Sequence, residues 1–497
     1  MATARLTFAR PGAATPTNGI TLVVFAPFGS DIELTGFPDG KQQSIEKHPL
    51  VQHLATVAGC GVHVCALIDL VDDKTWLVEF TAGRRTPTFT SRWKMQMDSM
   101  EPLQGLIRHA CEKRPGSVLV LGLEGHGAGF MPELDRRLLT QDKVTKGGAI
   151  EWRLKGDRGE PLLPTGSPLL PTGSPLLPTG SPLLPANHLP MSTWALGQAI
   201  RSGLTGHEGR LGVIVFNNCF NMSVEVLHTV APLAEFAVGY PNYNFFTSGA
   251  TYAEAFTALR KNAGTGSTEQ LARWLVEANG QLLRAKKHHP TIGSMVRLNR
   301  LPGIARAVDA LAKTLIAALT SGNETRHRAV AQKIRLVLRR AQQYDTHSPM
   351  TLEAPDELTD LCSFAKELST FDENAVAVQA AAAKLRTALA GIKAYGDSGT
   401  PWVAPHIRWD FSRADLAMNI LCPDPNLIGL WDWRSPFYLQ TDAEKLDPPV
   451  QPHVIEFLKK TAWVDFILAY HRHEPFAGLR PALIPACMRF NKDHKLP

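Results

Sequence analysis

Two stretches decide how this chain of 497 residues folds: Val118-Leu-Val-Leu-Gly-Leu-Glu-Gly-His-Gly-Ala-Gly-Phe130 and Val213-Ile-Val-Phe-Asn-Asn-Cys-Phe-Asn-Met-Ser-Val-Glu225. Each begins as a compact apolar run without polar alternation, the pattern of a strand covered on both faces in a mostly parallel sheet. Each then breaks into glycines or asparagines around a residue able to do chemistry. In an open α/β sheet, the loops beyond the carboxyl ends of the strands collect ligands and catalytic groups. A histidine and a cysteine just past two such ends stand side by side if the strands are neighbours.

Similar runs lie to either side. Thr21–Ala26, Val62–Leu70, Thr75–Phe80, Ser117–Leu123 and Leu211–Phe216 are expected strands. Helices are expected near Glu46–Ala58, Met100–Lys113 and Thr193–Ser202, the last behind the cap residues Ser192 and Thr193. This alternation predicts an α/β domain over residues 20–255, after an N-terminal tail of residues 1–19. From residue 256 the chain reads as mostly helical, with three- and four-residue apolar spacing over Ile304–Leu319, Arg326–Gln343, Glu357–Leu368 and Ala375–Ala394. A late strand, Leu416–Cys422, precedes a helix at Pro452–His471 whose inward stripe is Phe457, Leu458, Trp463, Phe466 and Ile467. A loop over residues 141–190 is inserted between the two decisive strands. In it PLLPTGS occurs three times from Pro161 and starts again at Pro182. Two prolines per repeat forbid a helix, so an extended or turn-rich segment is expected.

Composition narrows the class. Apolar residues make up 44% and charged residues 20%, which excludes wholesale disorder and fibrous architecture. An excess of +6 over so long a chain predicts no nucleic-acid partner. No run approaches the roughly 18 apolar residues of a membrane helix, and no signal peptide is read, so a cytoplasmic location without membrane association is expected. The seven cysteines, at 60, 65, 111, 219, 362, 422 and 487, form no disulfide pattern and fit a reducing compartment. No zinc spacing, phosphate loop or dinucleotide fingerprint occurs; His288-His289 and His471-Arg-His-Glu474 lack matching partners, and no metal is expected.

A thiol near pKa 8.5 is only a few per cent thiolate at neutral pH, so Cys219 needs an imidazole such as His126 to become a nucleophile. The same imidazole would protonate a leaving amine. Glycines at 125, 127 and 129 permit sharp turns and close approach. The Gly127 and Cys219 amides are candidate oxyanion donors, worth about 3 kcal/mol each when well placed. Taken singly, Cys219 also fits a buried small residue and His126 a turn histidine.

The motifs Gly125-His-Gly-Ala-Gly-Phe130 and Asn217-Asn-Cys-Phe220 through Glu225-Val226 resemble those of the clostripain-type cysteine peptidases, in the caspase-like clan. Similar elements recur at Ser30–Glu33, Phe236–Gly239, Asp360–Ala365 and Thr461–Ile467, so the likeness spans about residues 20–472. It implies a caspase-like (caspase-hemoglobinase) fold with a helical C-terminal region packed on it. It also implies a cysteine endopeptidase acting on protein or peptide substrates, with Cys219 as nucleophile and His126 as general base and acid. Asn217 stands where the family carries an aspartate that helps bind a basic P1 side chain, and Gly125 replaces the aspartate before the histidine. A neutral amide binds Arg or Lys less strongly, so Asp31, Glu33 and Glu124 join Asn217 as candidates for lining the P1 pocket. No cofactor is expected; the resemblance admits a calcium requirement that no motif supports. An unsecreted endopeptidase endangers its own cell, so gating is expected, by cleavage in the 141–190 loop or by a nucleotide or protein activator. Members of the clan serve as antiphage death effectors. The competing reading is a catalytically inactive scaffold or ligand-sensing module.

Overall fold

The structure, a computed structural model, describes residues 5–6, 19–29, 44–70, 74–93, 95–133, 139–143, 150–154, 191–207, 210–262, 266–287, 291–344, 357–370, 375–398, 409–424, 434–441, 443–445 and 451–472. The repeats at 161–190, together with Asp31, Glu33 and His288-His289, lie outside them.

A nine-stranded mixed sheet organises the molecule. Its strands are β1 (Ile20–Pro27), β2 (His63–Asp69), β3 (Lys74–Phe80), β4 (Thr88–Trp93), β5 (Val118–Leu123), β6 (Leu211–Phe216), β7 (Ala234–Gly239), β8 (Ile292–Arg297) and β9 (Lys393–Gly396). The spatial order is β9-β8-β7-β6-β5-β1-β2-β3-β4. The five central strands, β7 through β2, are parallel, and antiparallel strands close both edges.

The apolar runs are continuous because both faces of the centre are covered. Along β1, Ile20, Leu22, Val24 and Ala26 join one core while Val23 and Phe25 join the other. Helices α1 (Pro49–Gly59), α5 (Ala250–Lys261) and α6 (Thr268–Lys287) supply the first core; α2 (Met100–Lys113), α3 (Thr193–Gly203) and α4 (Val224–Val230) line the second. The second core continues without a break into α7 (Leu301–Thr320), α8 (Glu324–Arg340), α9 (Leu361–Leu368), α10 (Val376–Leu389) and α13 (Trp463–Arg472). The C-terminal region is thus helical and packed on the sheet, but it also donates β8 and β9 to that sheet. No helix among the described residues is long and apolar enough to cross a membrane.

Three C-terminal expectations change. The helix read from Glu357 begins as a strand, Leu358–Asp360, paired with Asn419–Leu421; Asp360 then caps α9 by accepting from the Ser363 amide at 2.7 Å. The helix read to Ala394 ends at Leu389, and the chain reverses through Gly391 at φ 75° to form β9. The helix at 452–471 is two, α12 (Glu456–Lys460) and α13, separated by Thr461 in extended conformation. A short helix, α11 (Ser435–Tyr438), precedes them. The inward stripe holds: Phe457, Leu458, Trp463, Phe466 and Ile467 are all buried.

Candidate active site

β5 and β6 are adjacent and parallel, and their register pairs Leu123 with Phe216. His126 and Cys219 each lie three residues beyond that pair, so the sheet delivers both to the same edge. Ser223 fixes the second loop by capping α4, accepting from the Val226 amide at 3.2 Å. The two loops are pressed together. A Cβ on Gly127 would sit 2.1 Å from the Cys219 carbonyl oxygen, so only glycine permits this approach. The Gly129 amide donates to Asn221 Oδ1 at 3.1 Å, and Asn221 Nδ2 donates to Asn218 Oδ1 at 2.8 Å. Gly125 at φ 90° and Gly129 at φ 69° make the turns that present His126, which is half-buried. Among the described residues, no backbone carbonyl accepts from the Gly127 or Cys219 amides.

Cys219 is buried, 6% exposed as a residue, and its thiol lies inside. It donates to the Asn244 carbonyl at 3.4 Å and accepts from the Asn244 amide at 3.3 Å. Burial pushes it up to about 11, against the lowering effect of the Asn244 amide, so in this arrangement it is a neutral thiol. Phe220, directly after it, takes a left-handed backbone at φ 61° and is anchored through its amide to the Asn242 carbonyl.

Behind the cysteine runs a buried polar chain. Asn217 Nδ2 donates to both oxygens of Glu124 at 3.0 Å, and Tyr252 hydroxyl donates to the same carboxylate. Asn217 Oδ1 accepts from Asn244 Nδ2 at 3.1 Å, and Asn244 Oδ1 accepts from Asn279 Nδ2 at 2.8 Å. Burial pushes the Glu124 carboxyl up to about 7, with the Tyr252 and Asn217 bonds opposing it. Glu124 is therefore an interior group, not a solvated loop charge. It and Asn217 are 2% and 3% exposed, and each is occupied by the other.

Sequence reasoning missed the props. Buried Arg434 donates to the carbonyls of Ala128 and Phe130, holding the histidine loop from a segment some 300 residues away. Asn419 Nδ2 donates to the carbonyls of Phe220 and Pro241, both at 2.8 Å. Glu225 accepts from the Leu421 amide at 3.0 Å and Tyr438 hydroxyl at 2.8 Å, tying α4 to the C-terminal region. Asn244, Asn419 and Arg434 sit in no motif, and nothing local marks them. Among the described residues, one group of three His, Cys, Asp or Glu side chains clusters its donor atoms: Cys65, Glu79 and His109. With one carboxylate it does not fit calcium, which takes six to eight oxygen ligands. His471 is buried, with its Nε2 on the Pro423 carbonyl at 2.9 Å.

Comparison with known proteins agrees with this architecture. An inactive zymogen C11 protease from Parabacteroides distasonis is similar in structure, with TM-score 0.51 and 12% identity over 90% of this chain and 99% of that one. A secreted C11 cysteine protease from Bacteroides thetaiotaomicron, iotapain, gives TM-score 0.52 and 10% identity over 91% and 100%. At such identities the likeness carries the fold, a caspase-like one. No curated protein matches the chain. The clostripain family model matches residues 191–467, which include Cys219 and begin after His126. That match takes in more than half of the sequence, and the chain belongs to the clostripain family of cysteine peptidases.

Proposed function

We propose that the chain is a cysteine endopeptidase working through a Cys219–His126 dyad. The observation that carries this reading is the β5–β6 register, which leaves both residues three positions past a paired strand end, with Gly127 pressed on the Cys219 carbonyl. His126 takes the thiol proton, and the thiolate attacks the scissile carbonyl carbon. The tetrahedral oxyanion is received by the Gly127 and Cys219 amides. His126 returns the proton to the departing amine as the C–N bond breaks, leaving a thioester on Cys219. Water, giving its proton to His126, then hydrolyses the thioester and frees the thiol.

Asn217 and Glu124 spend their polar atoms on each other, on Tyr252 and on Asn244, so they form a closed hydrogen-bonded network and offer no free carboxylate to a basic P1 side chain. Fluorogenic peptides with Arg, Lys and neutral P1 residues measure that preference. Activity that survives Cys219→Ala in purified protein overturns the mechanism, and no turnover of any peptide by activated protein favours the scaffold reading.

The enzyme is gated, on this reading. In support, the thiol is neutral and clasped by the Asn244 backbone, and the side chain of Asn242, two residues earlier, is fully buried with neither polar atom hydrogen-bonded among the described residues. The segment carrying these residues also contains left-handed Ser248, at φ 51°. A loop with those costs is poised to rearrange when the 141–190 insertion is cut or an activator binds. Mass spectrometry finds the internal cut in the first case; an intact chain that is fully active without any activator overturns gating. A death effector in a cytoplasmic antiphage pathway needs such a device, and the six described cysteines, all free, fit that compartment.

A further inference from the structure

Cys65, Glu79 and His109 lie on the opposite half of the sheet from Cys219. Cys65 on β2 and Glu79 on β3 are directly opposed in antiparallel register, so their Cβ atoms share one face at about 5 Å. His109, from the middle of α2, comes down over that pair, its Nε2 2.9 Å from Glu79 Oε1. One donor atom from each residue lies within 4.8 Å of the other two. Tetrahedral zinc with one sulfur, one nitrogen and one oxygen ligand places its donors about 3.3–3.8 Å apart. From separations of at most 4.8 Å, reaching that spacing takes shifts of about 1 Å in the donor atoms. Cys65 is 5% exposed, whereas the Glu79 and His109 side chains are 31% and 30% exposed, so the cluster is open to solvent on one side, from which water can supply a fourth ligand. Burial, with the Glu79 charge adding to it and Lys113 opposing it, pushes the Cys65 thiol up to about 12, so an ion binding here has to displace its proton.

We propose that Cys65, Glu79 and His109 form a zinc site that pins α2 to the β2–β3 hairpin, separate from the catalytic centre. A soft thiolate, an imidazole and a carboxylate select zinc over calcium or magnesium. On binding, Zn–S, Zn–N and Zn–O bonds form. The thiol proton leaves to solvent, and the proton that His109 Nε2 holds against Glu79 is given up to solvent, leaving the imidazole neutral with its proton on Nδ1 and the Nε2 lone pair facing the ion. The Glu79–His109 hydrogen bond gives way to coordination.

The test uses full-length protein carrying Cys219→Ala, which removes the catalytic thiol as a competing ligand, after chelator treatment. Cobalt(II) is expected to give a thiolate charge-transfer band in the near ultraviolet that saturates at one equivalent, and zinc to displace it and raise Tm. Cys65→Ala abolishes the band; His109→Ala, on a partly exposed helix face and so compatible with the fold, weakens zinc binding at least roughly tenfold. No band in the parent, or a band that survives Cys65→Ala, overturns the proposal, as does unchanged zinc affinity in a folded His109→Ala protein.

Discussion

Gly127→Ala puts the geometry of the dyad under direct load. The new methyl would sit 2.1 Å from the Cys219 carbonyl oxygen and 3.0 Å from Asn218 Cγ, while ordinary contact begins at 3.4 Å. The first overlap is with backbone, which no rotamer change relieves, so the two loops must part by about 1.3 Å, the difference between 3.4 and 2.1 Å. A displacement near 1 Å between a nucleophile and its base costs on the order of 100-fold in rate, or about 2.7 kcal/mol of transition-state stabilisation. The overpacking itself costs about 1–3 kcal/mol of stability, which leaves the protein folded. The assay is kcat/KM on a fluorogenic peptide beside a thermal melt of the same sample. The expected result is a drop of about 100-fold in a folded protein. A folded Gly127→Ala enzyme within threefold of the parent refutes the placement of the histidine loop against Cys219.

Gly105→Ala serves as the contrasting case: nothing lies within 4 Å of its added Cβ in the middle of α2, so denaturant unfolding should find about 0.5–1 kcal/mol of added stability. Glu124, raised from 4.5 to about 7, binds a proton in the folded state that it has lost in the unfolded one. The stability it contributes is therefore full below pH 4.5 and is lost as pH rises through about 7, by about 3 kcal/mol in all. Glu124→Gln should remove that slope: wild-type Tm falls against the variant between pH 5 and 8, and parallel curves would contradict the buried carboxyl. Asp360→Ala strands the Ser363 and Ala417 amides and the Tyr344 hydroxyl in the core, so urea unfolding should register a loss of at least about 3 kcal/mol. A loss below 1 kcal/mol would mean these donors find other partners.

Much of the fold was written in local pattern. Buried parallel strands need unbroken apolar runs, and β1, β2, β5 and β6 have them; Ser192 and Ser223 mark helix starts with side chains that accept from Ala195 and Val226 amides. Four strands of the sheet escaped notice: β7 and β8 are buried but short, their apolar runs broken by Glu235 and by Gly293-Ser294, and the other two are edges. β4 is a polar edge, Thr88-Phe-Thr-Ser-Arg-Trp93, and β9 is a four-residue edge that follows a helix with only Gly391 to separate them. Their pairing is decided by the neighbouring strand, which local sequence does not contain. The site divides in the same way. His126 and Cys219 are visible because strand ends and glycines announce them. Arg434 and Asn419 are not, since a single polar residue in a loop acquires meaning only when the chain brings it beside Ala128 or Phe220. Asn244 was hidden because its backbone, which no motif records, is what holds the thiol.

Active-site labelling tests the central claim most directly. A peptidyl electrophile incubated with catalytically active protein should add one adduct per chain, located by peptide mass spectrometry on Cys219. His126→Ala should slow the labelling by at least about 100-fold, since the thiolate is then formed without its base. Stoichiometric labelling of another cysteine, with Cys219 unmodified and peptide hydrolysis abolished, would contradict the assignment of Cys219 as the nucleophile.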